Sequence, residues 1–189
     1  DLDLIPSLSC LEEVKRFQAL GKTKQRKIKV HLKVDTGMGR MGVWWKKASE
    51  LLREIKSSEG IELNGILTHF AEPANEEFSR LQRDRFEQII TSNLPTPLPS
   101  DFIIHADNSS SLKVLEENSV FNAVRIGLLQ FGVTPPTHSA LAHLKVEPVL
   151  SFHAKLALSK DLPAQTSLSY GRLHTLGRDS KIGIISAGY

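Results

Sequence analysis

An α/β fold built on a parallel sheet is predicted by three features of the sequence. Strand-like and helix-like segments alternate through about five units before residue 128. One segment, Ile28–Asp35, alternates strictly: Ile28, Val30, Leu32 and Val34 point one way, and Lys29, His31, Lys33 and Asp35 the other. Arg40, His69, Asn108, Ser109 and Arg125 fall at or just beyond strand ends. In a closed (β/α) barrel those ends form one rim, where active sites lie. A doubly wound sheet also takes ligands at its strand ends, so the alternation by itself leaves both open.

Taken in order, Leu2, Leu4 and Ile5 predict a short strand ended by Pro6. Ser9 and Glu12 form a capping-box pattern, and Leu11, Val14, Phe17 and Leu20 make a helical stripe ended by Gly21. The central strand Ile28–Asp35 runs into T-G-M-G-R-M-G, whose glycines permit conformations other residues resist. A parallel strand covered on both faces reads as a continuous apolar run. This one has a charged face, so something must neutralise or use Lys33, Asp35 and Arg40. An open-sheet edge strand fits the alternation equally well.

Ala48, Leu51, Leu52 and Ile55 mark a second helix, ended near Gly60, and Ile61–His69 a strand that delivers His69. Phe78, Leu81, Phe86, Ile89 and Ile90 belong to a third helix, which stops before T-P-L-P. Phe102–Ala106 is a short strand, followed by D-N-S-S-S and a brief helix through Leu112 and Leu115. Val120–Gly127 closes the series and carries Arg125. From Val133 the grammar changes. Pro135, Pro136 and the His138–His143 stretch read as a linker. A β run at Val149–Leu158 and shorter ones at Thr166–Tyr170 and Lys181–Ser186 then follow without helices. The expected division is a partial barrel over 1–134 and a linker plus the start of a β domain over 135–189.

The totals exclude several classes. The 189 residues, 40% hydrophobic, suffice for one good core or somewhat more. A formal charge of +3 and one basic run, Lys22–Lys29, predict a solvated loop and no nucleic-acid partner. Cys10 is alone, which suits a reducing compartment. No apolar run is long enough to span a membrane, and neither glycine-rich nucleotide fingerprint is present. Asp1 without a methionine, and Ala187-Gly188-Tyr189 straight after an apolar run, lead us to expect a piece of a larger protein.

K-V-D-T-G-M-G-R-M-G, with T-H-F-A at 68–71, H-A-D-N-S at 105–109, V-R-I-G-L at 124–128, L-S-Y-G at 168–171 and a terminal G-Y, resembles the alanine racemase family. Six motifs in the family's order span nearly the whole chain. The resemblance implies a (β/α)8 TIM-type barrel, with its last five strands present here, followed by a β domain. It further implies pyridoxal 5'-phosphate as cofactor, no metal, a cytoplasmic location, a head-to-tail homodimer and interconversion of L- and D-alanine for peptidoglycan. The family's cofactor-binding lysine would precede Asp1, and the fragment alone is expected to be inactive. Related readings are a racemase of serine or of broader range, and a non-catalytic pyridoxal-phosphate barrel. The β runs after Val149 and the L-S-Y-G tyrosine count against the last.

By the same resemblance, Tyr170 is the base that removes or returns the α-proton, entering from the partner subunit. A phenol has a pKa near ~10 and needs cationic or hydrogen-bonding support, which His69 would provide. Arg125 would face the pyridine nitrogen; a barrel-interior salt bridge is the plainer alternative for it. Ser109, Gly127 and Leu128 would bind phosphate, flanked by Asn108, although D-N-S-S-S also suits a helix cap. Arg40 would contact the cofactor's phenolic oxygen and the substrate. Lys33 matches the family's carbamylated lysine that anchors this arginine, and Tyr189 a tyrosine near the substrate entrance; an interface aromatic is the equal alternative for Tyr189. Phe131 and Leu173-His174 depart from the family pattern, with a bearing on substrate preference.

Overall fold

The computed structural model describes residues 4–112 and 119–188. They divide into two compact units, Asp1–Pro148 and Val149–Tyr189. In the first unit β1 (Ser7–Leu8), β2 (Ile28–Asp35), β4 (Ile61–Leu67), β5 (Ile103–Asn108) and β6 (Ala123–Arg125) form one sheet in that order, with β3 (Val43–Trp44) beside β2. Every pairing in it is parallel. Along the path each successive strand joins the same advancing edge, so no point of reversal exists where a doubly wound sheet would have one. The fold is α/β of the TIM-barrel type. β2 sits inside the sheet, between β1 and β4, which removes the edge-strand alternative.

The helices α1 (Leu11–Lys24), α2 (Ala48–Ser57) and α3 (Glu76–Asn93) cover the apolar face of the sheet. Val30, Leu32 and Val34 of β2 share one core with Leu51, Leu52 and Ile55 of α2 and Phe86, Ile89 and Ile90 of α3. Phe86 is fully buried; its truncation to alanine would cost about 3–5 kcal/mol.

Several local expectations shift. The first strand follows Pro6 rather than preceding it: the Pro6 carbonyl accepts the His31 N–H at 2.9 Å, while Leu4 and Ile5 are exposed and Leu2 lies outside the described residues. Cys10, not Ser9, caps α1. No side-chain cap bond forms at Cys10; the Ser9 N–H donates to Glu13 at 2.5 Å, and Glu13, not Glu12, occupies the third helical position. Gly21 does not end this helix, which continues to Lys24. A Cβ at Gly21 would sit inside the Gly60 carbonyl, so this glycine allows a close approach. Leu20 and Leu81, expected in the core, are exposed. The helix expected through Leu115 lies outside the described residues there.

Residues 135–148, read from the sequence as linker, group with the first unit. The Ser139 hydroxyl donates to the carbonyl of Ser109 at 2.6 Å, and the Ala140 N–H to that of Leu112 at 2.6 Å. In the second unit β7 (Leu156–Leu162) pairs antiparallel with β10 (Ser180–Ile185), and β8 (Ser167–Leu168) with β9 (His174–Thr175). The run expected from Val149 becomes strand only at Leu156, where β10 supplies a ladder partner. Leu150, Phe152, Leu156 and Leu158 stay exposed.

Candidate functional site

The charged face of β2 lines the other side of the sheet, and a local irregularity shapes it. Val30 pairs with Leu63 but His31 with Gly65, so Asn64 is skipped in the register. Asn64 turns aside and donates to Asp101 at 3.2 Å. Gly65 then makes room: a Cβ there would lie 2.6 Å from His31 Nε2 and 2.6 Å from the Ile103 carbonyl oxygen.

His31, His105 of β5 and Arg125 of β6 form a chain across the sheet. Arg125 Nη1 lies 3.3 Å from His105 Nδ1, and His105 Nε2 lies 3.2 Å from His31 Nδ1. A guanidinium only donates, so His105 Nδ1 accepts and its proton sits on Nε2. That proton is donated to His31 Nδ1, which leaves the His31 proton on Nε2. Burial, then the charge of Arg125, then His31, push the His105 pKa down to about 4. It is therefore neutral near neutrality, as the bond directions require.

Beyond this chain lies a cluster of cations. Burial first, then Arg125 and Arg40, lower the Lys33 pKa, with Asp35 opposing. Burial, Arg125, Arg40 and Lys33 all hold His69 below the usual histidine value. Arg125 is itself pushed down by burial and by Arg40. Among the described residues, Arg125 Nε and His69 Nδ1 are buried without a hydrogen-bond partner. Asp35, the acid that acts on Lys33, is engaged elsewhere. Its carboxylate accepts the N–H of Gly37 at 3.0 Å and that of Gly39 at 3.1 Å. Gly39 takes the left-handed conformation (φ 67°) that folds the loop over this carboxylate, and Arg40 follows at its exposed tip.

The third part of the rim is the turn after β5. The Asn108 side chain accepts the N–H groups of Ser110 at 2.9 Å and Ser111 at 3.0 Å, an Asx turn. Ser109 is buried, and its Oγ accepts the Gly127 N–H at 3.3 Å. Among the described residues a Cβ at Gly127 would meet nothing within 4 Å, so space adjoins this contact there. Leu128, 66% exposed, begins the next turn.

The first unit thus gathers Lys33, Arg40, His69 and Arg125 by their mutual charges, and joins Ser109 to Gly127. Tyr170 belongs to the second unit, where it is 90% exposed. Tyr189 lies outside the described residues. Among the described residues no group of His, Cys, Asp or Glu side chains is arranged to hold a metal. Sequence reasoning missed His31 and His105 as members of the site. The signal was available: His31 shares the polar face of β2 with Lys33, and H-A-D-N-S places His105 on the strand that leads to Ser109.

Compared with known proteins, residues 1–135 match the family described as alanine racemase, N-terminal domain. An alanine racemase of Chlorobaculum tepidum is 35% identical over 179 residues, 94% of this chain and 46% of its own length. Among solved structures, alanine racemase from the D-cycloserine producer Streptomyces lavendulae superposes with TM-score 0.74 at 26% identity, over 97% of this chain and 49% of that one. That from Bacillus anthracis, with bound L-Ala-P, gives TM-score 0.66 at 26% identity, over 97% and 48%. The chain spans about half the length of the curated relatives it matches.

Proposed function

Because this chain belongs to the alanine racemase family, which it matches over residues 1–135, we propose that its rim binds pyridoxal 5'-phosphate and serves the interconversion of L- and D-alanine. The observation that carries this reading is the pair of unpartnered buried nitrogens, Arg125 Nε and His69 Nδ1, set among the charges of Lys33 and Arg40. Such a site fits an anion rich in acceptor atoms.

Ser109 Oγ and the N–H groups of Gly127 and Leu128 would hold the phosphate, with Asn108 fixing the turn that presents Ser109. Arg125 would face the pyridine nitrogen and, unable to give up a proton, leave it unprotonated. The bound cofactor supplies the electron sink that acidifies the α-proton of an amino acid. Arg40 would hold the cofactor's phenolic oxygen and the substrate, and Tyr189 would stand near the entrance. Tyr170, from the partner in a homodimer, would take or return the α-proton at its phenolic oxygen, supported by His69. Its exposure on a tight turn, between Ser169 at φ 58° and Gly171 at φ 72°, supports a role outside its own unit.

Lys33 would be carbamylated. Its neutral amine adds to the carbon of carbon dioxide and loses a proton, which places an anion where Arg40 and Arg125 now act on a cation. The L-Ala-P bound to the Bacillus anthracis relative supports an alanine-sized substrate. Among the described residues no helix is long and apolar enough to cross a membrane. We place the activity in the cytoplasm, supplying D-alanine for peptidoglycan. The 189-residue chain alone is expected to be inactive, since the family resemblance assigns the cofactor lysine to none of its residues. The test is D-alanine formation from L-alanine by the full-length protein loaded with pyridoxal phosphate. No turnover by the loaded protein would overturn the assignment.

A further inference from the structure

We infer that Gln82 is a positioning residue, tying the Arg40 loop after β2 to the His69 turn after β4. It lies on α3, not on the sheet, and is fully buried. Its Nε2 donates to Thr36 Oγ1 at 3.1 Å and to the His69 carbonyl oxygen at 3.2 Å. Its Oε1 accepts the Ala71 N–H at 2.9 Å. These bonds all run to the two loops.

The protons in this network have one direction. Thr68 Oγ1 donates to the Val34 carbonyl at 2.9 Å. In the 2.7 Å contact between the Thr36 and Thr68 hydroxyls, Thr36 is therefore the donor. Gln82 thus donates to Thr36, Thr36 to Thr68, and Thr68 back to β2. Arg85, three residues along α3, donates to the Thr36 carbonyl at 2.7 Å and stacks over Trp45 at 5.2 Å. Phe78, on the same helix, would lie 2.8 Å from a Cβ at Gly37. The helix thereby grips the root of the Arg40 loop through several side chains, but only Gln82 of these also holds the His69 turn.

The tie has a physical purpose. His69 is acted on by Arg125, Arg40 and Lys33, all of one sign, and loops carrying like charges relax by moving apart. A buried amide with both donors used and its oxygen engaged resists that movement, whereas an apolar side chain of the same size would fill the space without fixing the spacing.

The inference rests on the proposed site, and its main readout is independent of turnover. In the full-length protein, Gln82→Met keeps the volume and removes the bonds. The His69 imidazole is titrated by NMR, with His105 as internal reference. We expect the His69 pKa to rise by about one unit as the cations separate and water enters, while His105 stays near its starting value. The KM for alanine should also rise by about tenfold, with a smaller change in kcat. An unchanged His69 pKa in a folded Gln82→Met protein would overturn the inference. If that variant does not fold, Thr36→Val, which breaks the same tie from the other side, decides by the same titration. Failure of the racemase reading would show as no turnover in the unsubstituted protein and would leave this titration intact.

Discussion

Arg125 Nη1 donates to His105 Nδ1 across 3.3 Å, and together with the 3.2 Å approach of His105 Nε2 to His31 Nδ1 this contact places the protons on two histidines. Since His105 must accept, it must be neutral when the contact is made. Its protonation would oppose Arg125 directly.

A pH dependence follows. The His105 pKa in the folded protein is about 4, below the ordinary 6.5, so between those values the unfolded chain binds more protons. Stability from this group is complete above pH 6.5 and is lost as pH falls toward 4, by an amount on the order of 3 kcal/mol. His31 and His69 are lowered as well and act with the same sign. Gln at position 105 keeps an acceptor for Arg125 and a donor for His31 without titrating. Denaturant unfolding between pH 4 and 7 should give a flatter stability curve for His105→Gln than for the unsubstituted protein; parallel curves would refute the argument.

Gly65→Ala tests the space behind His31. The added methyl would lie 2.6 Å from His31 Nε2 and from the Ile103 carbonyl, and strand backbone yields little. A loss of about 1–3 kcal/mol is expected, with a displaced His31 that loosens Arg125 through His105. Thermal melts give the first effect and weakened cofactor binding the second. A fully stable Gly65→Ala protein would show that the strands separate more easily than this register implies.

The fold was more legible than the site, for a reason visible in particular residues. Apolar periodicity reports burial, so α2, with Ala48, Leu51, Leu52 and Ile55 all buried, could be read directly. The same logic missed the limits of α1, because Gly21 is there for contact with Gly60 and not for termination. At the site, the family motifs pointed to side chains expected to face a ligand. The hydrogen bonds of His31 and Gln82 run to other protein groups, and a lone histidine or glutamine on an element has no spacing signature. Their roles depend on strand neighbours and helix packing, which exist only after folding.

Lys33 carries the next prediction. Burial with Arg125 and Arg40 lowers its pKa, which enlarges the neutral fraction that reacts with carbon dioxide. Full-length protein incubated with 13C-bicarbonate should show one slowly exchanging carbamate carbon signal, absent from Lys33→Met. That variant should raise the KM for alanine by about tenfold through a poorly anchored Arg40, with a smaller fall in kcat. A protein that shows no carbamate at high bicarbonate, while keeping full activity, would leave Lys33 a bare ammonium.

The last prediction concerns which copy supplies Tyr170. Tyr170→Phe removes the proposed proton-transferring oxygen and should lower racemisation by about 10²–10⁴-fold. Both directions must fall together in kcat/KM, because the equilibrium constant is fixed. In deuterium oxide the two enantiomers should nevertheless separate, because the family resemblance implies a two-base mechanism in which the cofactor lysine works on the face opposite Tyr170: α-proton exchange persists for the enantiomer whose proton that lysine takes. Arg125→Glu should be inactive for a different reason, replacing by an acceptor the donor that leaves the ring nitrogen unprotonated. In a two-fold dimer where each site takes Arg125 from one copy and Tyr170 from the other, a mixed dimer of these variants contains one unaltered site and one doubly altered site. Random exchange of subunits makes half the dimers mixed, so activity should recover to about a quarter of the unsubstituted level. If both residues came from the same copy, every site in the mixture would carry a lesion and no activity would return. Mixing the two variants under conditions that exchange subunits, then measuring D-alanine formation, distinguishes these outcomes.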